Sequence, residues 1–373
     1  MPKNKQIVLF LCCYQSVYGG NFIPSLMALE EAVWHRGGSC VYAFPIDATQ
    51  RVWVRKLQEM DKKIVFVDFK VSRFKLIKTL SQIVKLHNIT LIHSHFAPFL
   101  PLEILAFLNR KVRVIIHLHS DFSLGKHKLK TTIRNFLLYK LCAGSVRFIS
   151  VSKAFVDYNP SKITWIPNAL STKRIPCRTT ISPEVLRQKY ALGETDKVCE
   201  TFAWSPQVKG LDVAVESIAT LNKSENNQYK LLIVCGEKMS VETMPDWVAT
   251  HTSCNGKESF LIYLPPTEDV FVYHQVADLL LSASRSEGFP YSILEMLSMG
   301  KPCVMSDIPG IAWAKKYPLS YVFASENISA CKQAIIQAIT GKNKMFLSQT
   351  ADQIRTDYNI HTWVNRVLNT YEN

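Results

Sequence analysis

Two glutamates eight residues apart stand out in the segment Ser286-Glu287-Gly288-Phe289-Pro290-Tyr291-Ser292-Ile293-Leu294-Glu295. An apolar, strand-like run ends near Ser282, a Gly-Phe-Pro turn follows, and a helical pattern runs from Ser292 to Met299. In that order the first turn of the helix aims free backbone N–H groups, with their partial positive charge, beyond the strand's end. Such a terminus is a seat for phosphate. Glu287 lies just before the turn and Glu295 about one helical turn inside it, so both carboxylates can face one ligand. Ionised carboxylates only accept hydrogen bonds, so a pair flanking an anion seat suits a molecule with hydroxyls on both sides of its phosphates, as in a nucleotide sugar. A turn residue and a surface helix residue would share this spacing, and the pair alone leaves that reading open.

Histidines form the second chemical cluster. His93 and His95 flank Ser94 at the end of one strand-like run, and His117 and His119 close another. Alternation puts His93 and His95 on one face, as in a metal site. Without a carboxylate or cysteine at ligand spacing, a structural or acceptor-lining role is preferred and no metal is expected. His117 is expected to point away from His119 as a core residue. A glycine pair, Gly19-Gly20, ahead of Asn21 lets backbone approach a ligand closely, or simply makes a tight turn.

The elements that must position these groups alternate short apolar runs with longer amphipathic ones, the pattern of α/β domains with parallel sheets. Strands are predicted at Ile7–Cys12, Ser39–Phe44, Lys63–Asp68, Thr90–Ser94, Arg113–Leu118 and Arg147–Val151. Helices fall between them at Phe22–His35, Arg73–His87 and Lys128–Leu141. A proline- and charge-rich stretch, Ile166 to Glu194, interrupts the pattern, which restarts with strands at Val198–Ala203, Lys230–Cys235, Ser259–Tyr263, Ala277–Ser282 and Pro302–Met305 and a helix at Leu211–Leu221. The expected organisation is an N-terminal Rossmann-like domain over residues 1–168, a linker region over 169–197, and a C-terminal Rossmann-like domain over 198–355. A C-terminal helix over 356–373 would pack back on the first domain.

Composition narrows the class. With 373 residues, 47% hydrophobic and 20% charged, the chain is globular and long enough for two domains. No apolar run reaches the roughly 18–20 residues of a membrane-spanning helix, and the apolar stretch after Lys3 and Lys5 is too short for a secretory signal. Ten scattered cysteines without a CxxC pair suit a reducing, cytoplasmic location. The net charge of +14 is uneven: residues 1–176 carry 26 basic and 9 acidic side chains, residues 177–373 carry 18 and 21. A surface this basic suits an anionic partner. Stacking platforms, zinc-finger spacing and a recognition helix are missing, so nucleic acid is not expected. The stretch Leu124 to Arg147 interleaves Lys126, Lys128, Lys130, Arg134 and Lys140 with Phe136, Leu137 and Leu141. A basic amphipathic helix there could lie on an anionic membrane surface, or pack on a sheet with its lysines solvated. No G-x-G-x-x-G opens either half, which disfavours a dinucleotide-dependent dehydrogenase.

The Glu287–Glu295 segment, continuing to Gly300-Lys301-Pro302-Cys303-Val304, closely resembles the E-x7-E signature of the retaining group 1 (family 4) glycosyltransferases. Val151-Ser152-Lys153, Ile166-Pro167-Asn168-Ala169, Lys209-Gly210, Leu231 to Gly236 and Val276-Ala277-Asp278 are similar to further family segments, in the family's order. Tyr18-Gly19-Gly20-Asn21 matches its Gly-rich loop after the first strand. The resemblance implies the GT-B architecture, two doubly wound α/β domains facing across a cleft. It implies a hexosyltransferase that uses a UDP- or GDP-sugar as substrate, with no cofactor and no metal. The expected acceptor is a glycan or lipid-linked molecule, with retention at the anomeric carbon, in bacterial-type cell-surface polysaccharide (lipopolysaccharide or capsule) synthesis. Glu287, Lys209 and His119 take the catalytic roles. Glu295 would hold the ribose, and Gly288, Phe289, Pro290 and Tyr291 the diphosphate through backbone amides, helped by Lys209. Gly19, Gly20 and Asn21 form the acceptor-side loop. The family usually carries an arginine five residues before that lysine, where this chain has Trp204; either another cation, Arg285 or Lys238, substitutes, or the phosphate is held more weakly. Trp204 also keeps a non-catalytic nucleotide-sugar-binding subunit as the alternative.

Overall fold

A computed structural model describes residues 5–119, 146–153, 163–171, 182–224, 228–341 and 344–372. The chain divides into two compact units, one comprising Met1–Ala169 with Ile360–Asn373, the other Leu170–Asn359.

The first unit is built on a seven-stranded parallel sheet. Its strands are β1 (Ile7–Cys12), β2 (Ser39–Pro45), β3 (Ile64–Val67), β4 (Leu91–His95), β5 (Arg113–Leu118), β6 (Val146–Ser150) and β7 (Ile163–Trp165). They are ordered β3-β2-β1-β4-β5-β6-β7. Central strands such as Ile-Val-Leu-Phe-Leu-Cys are almost continuously apolar because helices cover both faces. The helices are α1 (Phe22–His35), α2 (Val52–Glu59), α3 (Arg73–Leu86) and α4 (Phe99–Leu108), with the chain's last helix, α12 (Ile360–Glu372), returning to this unit. One apolar layer joins Leu26, Leu29 and Val33 of α1 to Trp363, Val367 and Tyr371 of α12; the opposite layer contains Leu76, Leu80, Leu102 and Leu105 of α3 and α4. α1 ends at Gly37, whose φ of +77° suits glycine, and Ser72 caps α3 by accepting the Lys75 amide.

The second unit repeats the plan with six parallel strands: β8 (Lys197–Phe202), β9 (Tyr229–Val234), β10 (Leu261–Leu264), β11 (Leu279–Ser282), β12 (Cys303–Ser306) and β13 (Ser320–Phe323). Their order is β10-β9-β8-β11-β12-β13. Its helices are α5 (Pro183–Lys189), α6 (Leu211–Ser224), α7 (Met244–His251), α8 (Phe271–Val276), α9 (Tyr291–Ser298), α10 (Ile328–Thr340) and α11 (Lys344–Asp357). α6 and α10 cover one face of the sheet, while α8 and α9 lie against its strands elsewhere. In both sheets the chain winds outward one way, then returns to wind the other way, so the order reverses at β1/β4 and at β8/β11. Ligands of such sheets bind beyond the carboxyl ends of the strands at that reversal.

Two short strands, β7 and β13, were not expected from the sequence. Both are three or four residues long and largely half-exposed, so they lack a buried apolar run. Within 169–197, expected as linker, residues Pro183–Lys189 form a helix capped by Ser182, with β8 beginning at Lys197. Of the expected C-terminal helix, residues 356–357 end α11 and only Ile360–Glu372 form α12.

Candidate functional site

The second unit gathers the expected donor-side residues at the β8/β11 reversal. A small crevice, open to solvent, is lined there by Thr201, Phe202, Lys209, Ser282, Ser284, Glu287 and Ser292, among others. Two loops make it. The 203–210 loop leaves β8 and the 283–290 loop leaves β11, and they are joined where the Arg285 amide donates to the Val208 carbonyl. Gly210 has φ +63°, and a Cβ on it would lie 2.0 Å from the Ala283 carbonyl oxygen, so only glycine lets the loops approach. The Arg285 side chain fastens the pair. Its guanidinium donates to both Asp212 carboxylate oxygens at 2.9 and 2.7 Å, to Glu326 at 2.7 Å and to the Gln207 carbonyl.

So held, Lys209 Nζ donates to Glu287 Oε1 at 2.6 Å, with both side chains only 11% exposed. The Ser284 hydroxyl donates to the same oxygen at 2.7 Å. Lys209 Nζ also lies 5.2 Å from the centre of the Trp204 ring, a cation–π contact that steadies the ammonium. Behind Glu287 the backbone is supported by the 3-10 segment Pro309–Lys316: a Cβ on Gly310 would come 1.8 Å from the Glu287 carbonyl oxygen. The result is a fixed cation and a fixed carboxylate at a strand-end crevice, beside the first turn of α9.

The residues of that turn divide their work. Phe289 is buried and stacks on Trp313 with ring centres 4.1 Å apart, with Tyr358 at its edge. Its side chain anchors the turn. Pro290, expected among the amide donors, has no N–H; it sits in extended conformation just before the helix and sets its entry angle. Gly288, Phe289 and Tyr291 retain amides.

Glu295 is buried on the inner side of α9, and His274 of α8 stands between it and Glu200 of β8. His274 Nδ1 is 2.6 Å from Glu200 Oε2 and Nε2 is 3.5 Å from Glu295 Oε2. Burial opposes a charge on this imidazole, but the two carboxylates outweigh it and push its pKa up to about 9. Lys301 closes α8 by donating to the carbonyls of His274, Gln275 and Ala277. Sequence reasoning missed His274 and Glu200: they lie 74 residues apart in unrelated segments, and only the fold brings them together.

Of the two cations expected to replace the family arginine, Arg285 is committed to Asp212, Glu326 and the Gln207 carbonyl and cannot serve. Lys238 is exposed on the loop after β9. That loop reaches the site, because a Cβ on Gly236 would meet the Trp204 backbone at 2.8 Å.

In the first unit, the histidines assemble at the ends of β4 and β5. The register pairs His95 with His117, and His93 is two residues back on β4. His117 is buried, as expected, but its expected direction is corrected: residues two apart along a strand share a face, and the His117 and His119 rings stack with centres 4.5 Å apart. His93 Nδ1 lies 2.7 Å from the Tyr371 hydroxyl and His93 Nε2 lies 3.2 Å from His117 Nδ1. His95 Nδ1 is 2.9 Å from His119 Nε2. Burial pushes all four imidazoles down, His93 and His119 to about 3, so they are neutral at physiological pH. Nearby, Gly20 has φ +53°, and the Gly19 and Asn21 carbonyls accept the first backbone bonds of α1. Residues 120–145, which hold most of the basic amphipathic stretch, lie outside the described residues. Among the described residues no helix is long and apolar enough to cross a membrane.

The geometry can be set beside known proteins. Residues 200–341 match the family model for glycosyl transferases group 1, and residues 50–174 match that for glycosyltransferase family 4. No curated protein sequence matches the chain. Among solved structures it resembles a glycosyltransferase from Rickettsia africae, at 16% identity and TM-score 0.78 over 99% of this chain and 98% of that one. Anabaena HepE, in complex with UDP and glucose, also gives 16% identity and TM-score 0.78, over 99% and 100% of the two chains. The sucrose-phosphate synthase of Thermosynechococcus elongatus is similar at 15% identity and TM-score 0.72, over 99% and 98%. The structural likenesses carry the fold, and the two family models, which between them cover well over half of the chain, carry the family. This chain belongs to the group 1 (family 4) glycosyltransferases and has the two parallel α/β units of the GT-B architecture.

Proposed function

We propose that this glycosyltransferase moves a hexosyl unit from a UDP- or GDP-sugar to a glycan or lipid-linked acceptor, with retention at the anomeric carbon. The observation that carries the reading is the Lys209–Glu287 pair, fixed at 2.6 Å in the crevice where the second sheet reverses its strand order. HepE, of the same fold, was solved with UDP and glucose, which supports a nucleotide-sugar donor. A diphosphate entering the crevice would draw the Lys209 ammonium toward its oxygens, and Glu287 would exchange that partner for sugar hydroxyls. As the bond from sugar carbon to phosphate oxygen breaks, negative charge grows on the diphosphate. Lys209 and the amides at the start of α9 would meet that charge, which is where a preorganised site gains most. The acceptor oxygen attacks from the same face, and its proton passes to the departing phosphate oxygen. This displacement calls on no cofactor and no metal. Glu295, held by His274, would accept from the nucleotide ribose, and His119 would face the acceptor side as a neutral imidazole.

The basic balance of residues 1–176 supports an anionic membrane surface as the place of work, on the cytoplasmic face, in cell-surface polysaccharide synthesis. Flotation with anionic and neutral vesicles tests that: no anion-dependent, salt-sensitive flotation removes it. Nucleotide released by the purified protein, measured across UDP-, GDP- and other activated sugars, tests the reaction itself. One departure favours a second reading, a non-catalytic donor-binding subunit: Trp204 stands where the family carries arginine, and Arg285 is already committed. Saturable donor binding without turnover, for every donor and acceptor offered, would decide for it.

A further inference from the structure

The histidine cluster of the first unit has more nitrogen than its surroundings can satisfy. His93, His95 and His117 are 0%, 1% and 2% exposed, and one ring nitrogen from each lies within 4.8 Å of one from each of the other two. A neutral imidazole carries one N–H and one lone pair, and burial requires a partner for both. The Tyr371 hydroxyl takes His93 Nδ1 and His119 takes His95 Nδ1, but His95 Nε2 and His117 Nε2 have no hydrogen-bond partner. No choice of tautomer removes this mismatch, because each of those atoms is a buried orphan whether it holds a proton or a lone pair.

We infer that His93, His95 and His117 form a binding site for one borderline divalent cation of the zinc class. Three imidazoles suit zinc, and so does the surrounding hydrogen bonding: a ligating histidine donates its other ring N–H to a fixed acceptor. With Tyr371 Oη accepting from His93 Nδ1 and His119 Nε2 from His95 Nδ1, the lone pairs fall on His93 Nε2 and His95 Nε2, so a cation there removes the His95 orphan and leaves only the His117 Nε2 N–H without a partner. His93 Nε2 and His117 Nδ1 stand 3.2 Å apart, within hydrogen-bond reach of each other. Two nitrogens on one tetrahedral zinc, each at 2.0–2.1 Å, stand about 3.3–3.4 Å apart. One ring nitrogen from each histidine lies within 4.8 Å of the others, so binding the cation requires the remaining separations to close to that value. The cation would tie β4 to β5 under α12, whose Tyr371 and Trp363 cover the cluster. It lies in a different unit from Lys209 and Glu287, so it stands or falls independently of the proposed donor site.

The test uses full-length protein freed of any affinity tag, stripped with chelator and re-equilibrated with Zn²⁺ or Co²⁺. The expected result is one ion per chain retained through gel filtration, a visible tetrahedral Co²⁺ spectrum with nitrogen ligands, and displacement of Co²⁺ by Zn²⁺. At a hundredfold excess over Kd, the ion should raise the Tm by about 5–10 °C. His95→Gln with His117→Gln should weaken retention at least about 100-fold, while His35→Gln, at an exposed position, leaves it unchanged. A wild-type protein that takes up no stoichiometric ion overturns the inference and leaves a buried water as the bridge. Full retention by the double variant, or an octahedral Co²⁺ spectrum in the wild type, overturns it equally. The wild-type spectrum decides even if the double variant fails to fold.

Discussion

Replacing Lys209 with methionine keeps the apolar stem and removes the charge, and two separable losses follow. In the resting protein, Glu287 loses a cation at 2.6 Å while remaining 11% exposed and bonded to the Ser284 hydroxyl. Breaking a fully buried ion pair costs about 3–5 kcal/mol, and the remaining serine bond and partial exposure bring this site to about 2–3 kcal/mol. For a unit of this size that lowers the Tm by roughly 5–10 °C. In the transition state the departing diphosphate loses a preorganised cation, which costs about 10²–10³ in kcat. The double variant Lys209→Met/Glu287→Gln separates the two effects. Removing the stranded carboxylate charge restores most of the stability, whereas the missing cation keeps turnover low. Thermal melts and nucleotide release over time read both quantities on the same samples. A Lys209→Met protein with kcat within about threefold of wild type would refute the reasoning, as would a double variant that regains activity along with its Tm.

Three other outcomes follow from the same geometry. His274, pushed up to about 9 by Glu200 and Glu295 against the opposing effect of burial, takes up its proton on folding. The resulting stabilisation, about 3 kcal/mol at most, is complete below the unfolded value of roughly 6.5 and is lost as pH rises through about 9. Denaturant melts over that window should slope downward in wild type and flatten in His274→Gln; equal slopes would remove the charged clamp. The first unit responds to acid instead. His93 and His119, pushed down to about 3 mainly by burial, stay neutral when folded, so stability present above pH 6.5 falls by about 1.4 kcal/mol per pH unit per histidine below it. Hydrogen exchange in β4 and β5 should accelerate first on acidification, and unchanged protection down to about pH 5 would contradict the neutral cluster. Finally, Gly310→Ala puts a methyl 1.8 Å from the Glu287 carbonyl oxygen, so it should cost about 1–3 kcal/mol and displace the carboxylate. Donor turnover measured on this variant should fall at least tenfold; wild-type turnover would show that the backbone behind Glu287 does not position it.

The strands were legible because they are buried on both faces: β1 and β5 fall where their apolar runs predict, and most others lie within two residues of expectation. β7 and β13 were not, being too short and too exposed to carry that signal. Glu287, Glu295 and Lys209 could be named from their segments. Their pairing could not, since Lys209 and Glu287 are 78 positions apart and meet only because β8 and β11 are neighbours. The same separation hid His274, whose significance arises from Glu200 and Glu295 on other elements. His117 was misplaced by a phase error along one strand rather than by any long-range effect. Arg285 looked like a spare cation in sequence, and Asp212, 73 residues away, shows that it instead fastens a loop.

The most direct measurement is a crystal structure of the protein with the nucleotide sugar it turns over. A diphosphate within hydrogen-bond reach of Lys209 Nζ and the amides opening α9, with Glu287 turned to the sugar and Glu295 to the ribose, is the predicted result. A donor bound with Lys209 still locked to Glu287, or seated away from the ends of β8 and β11, would contradict it.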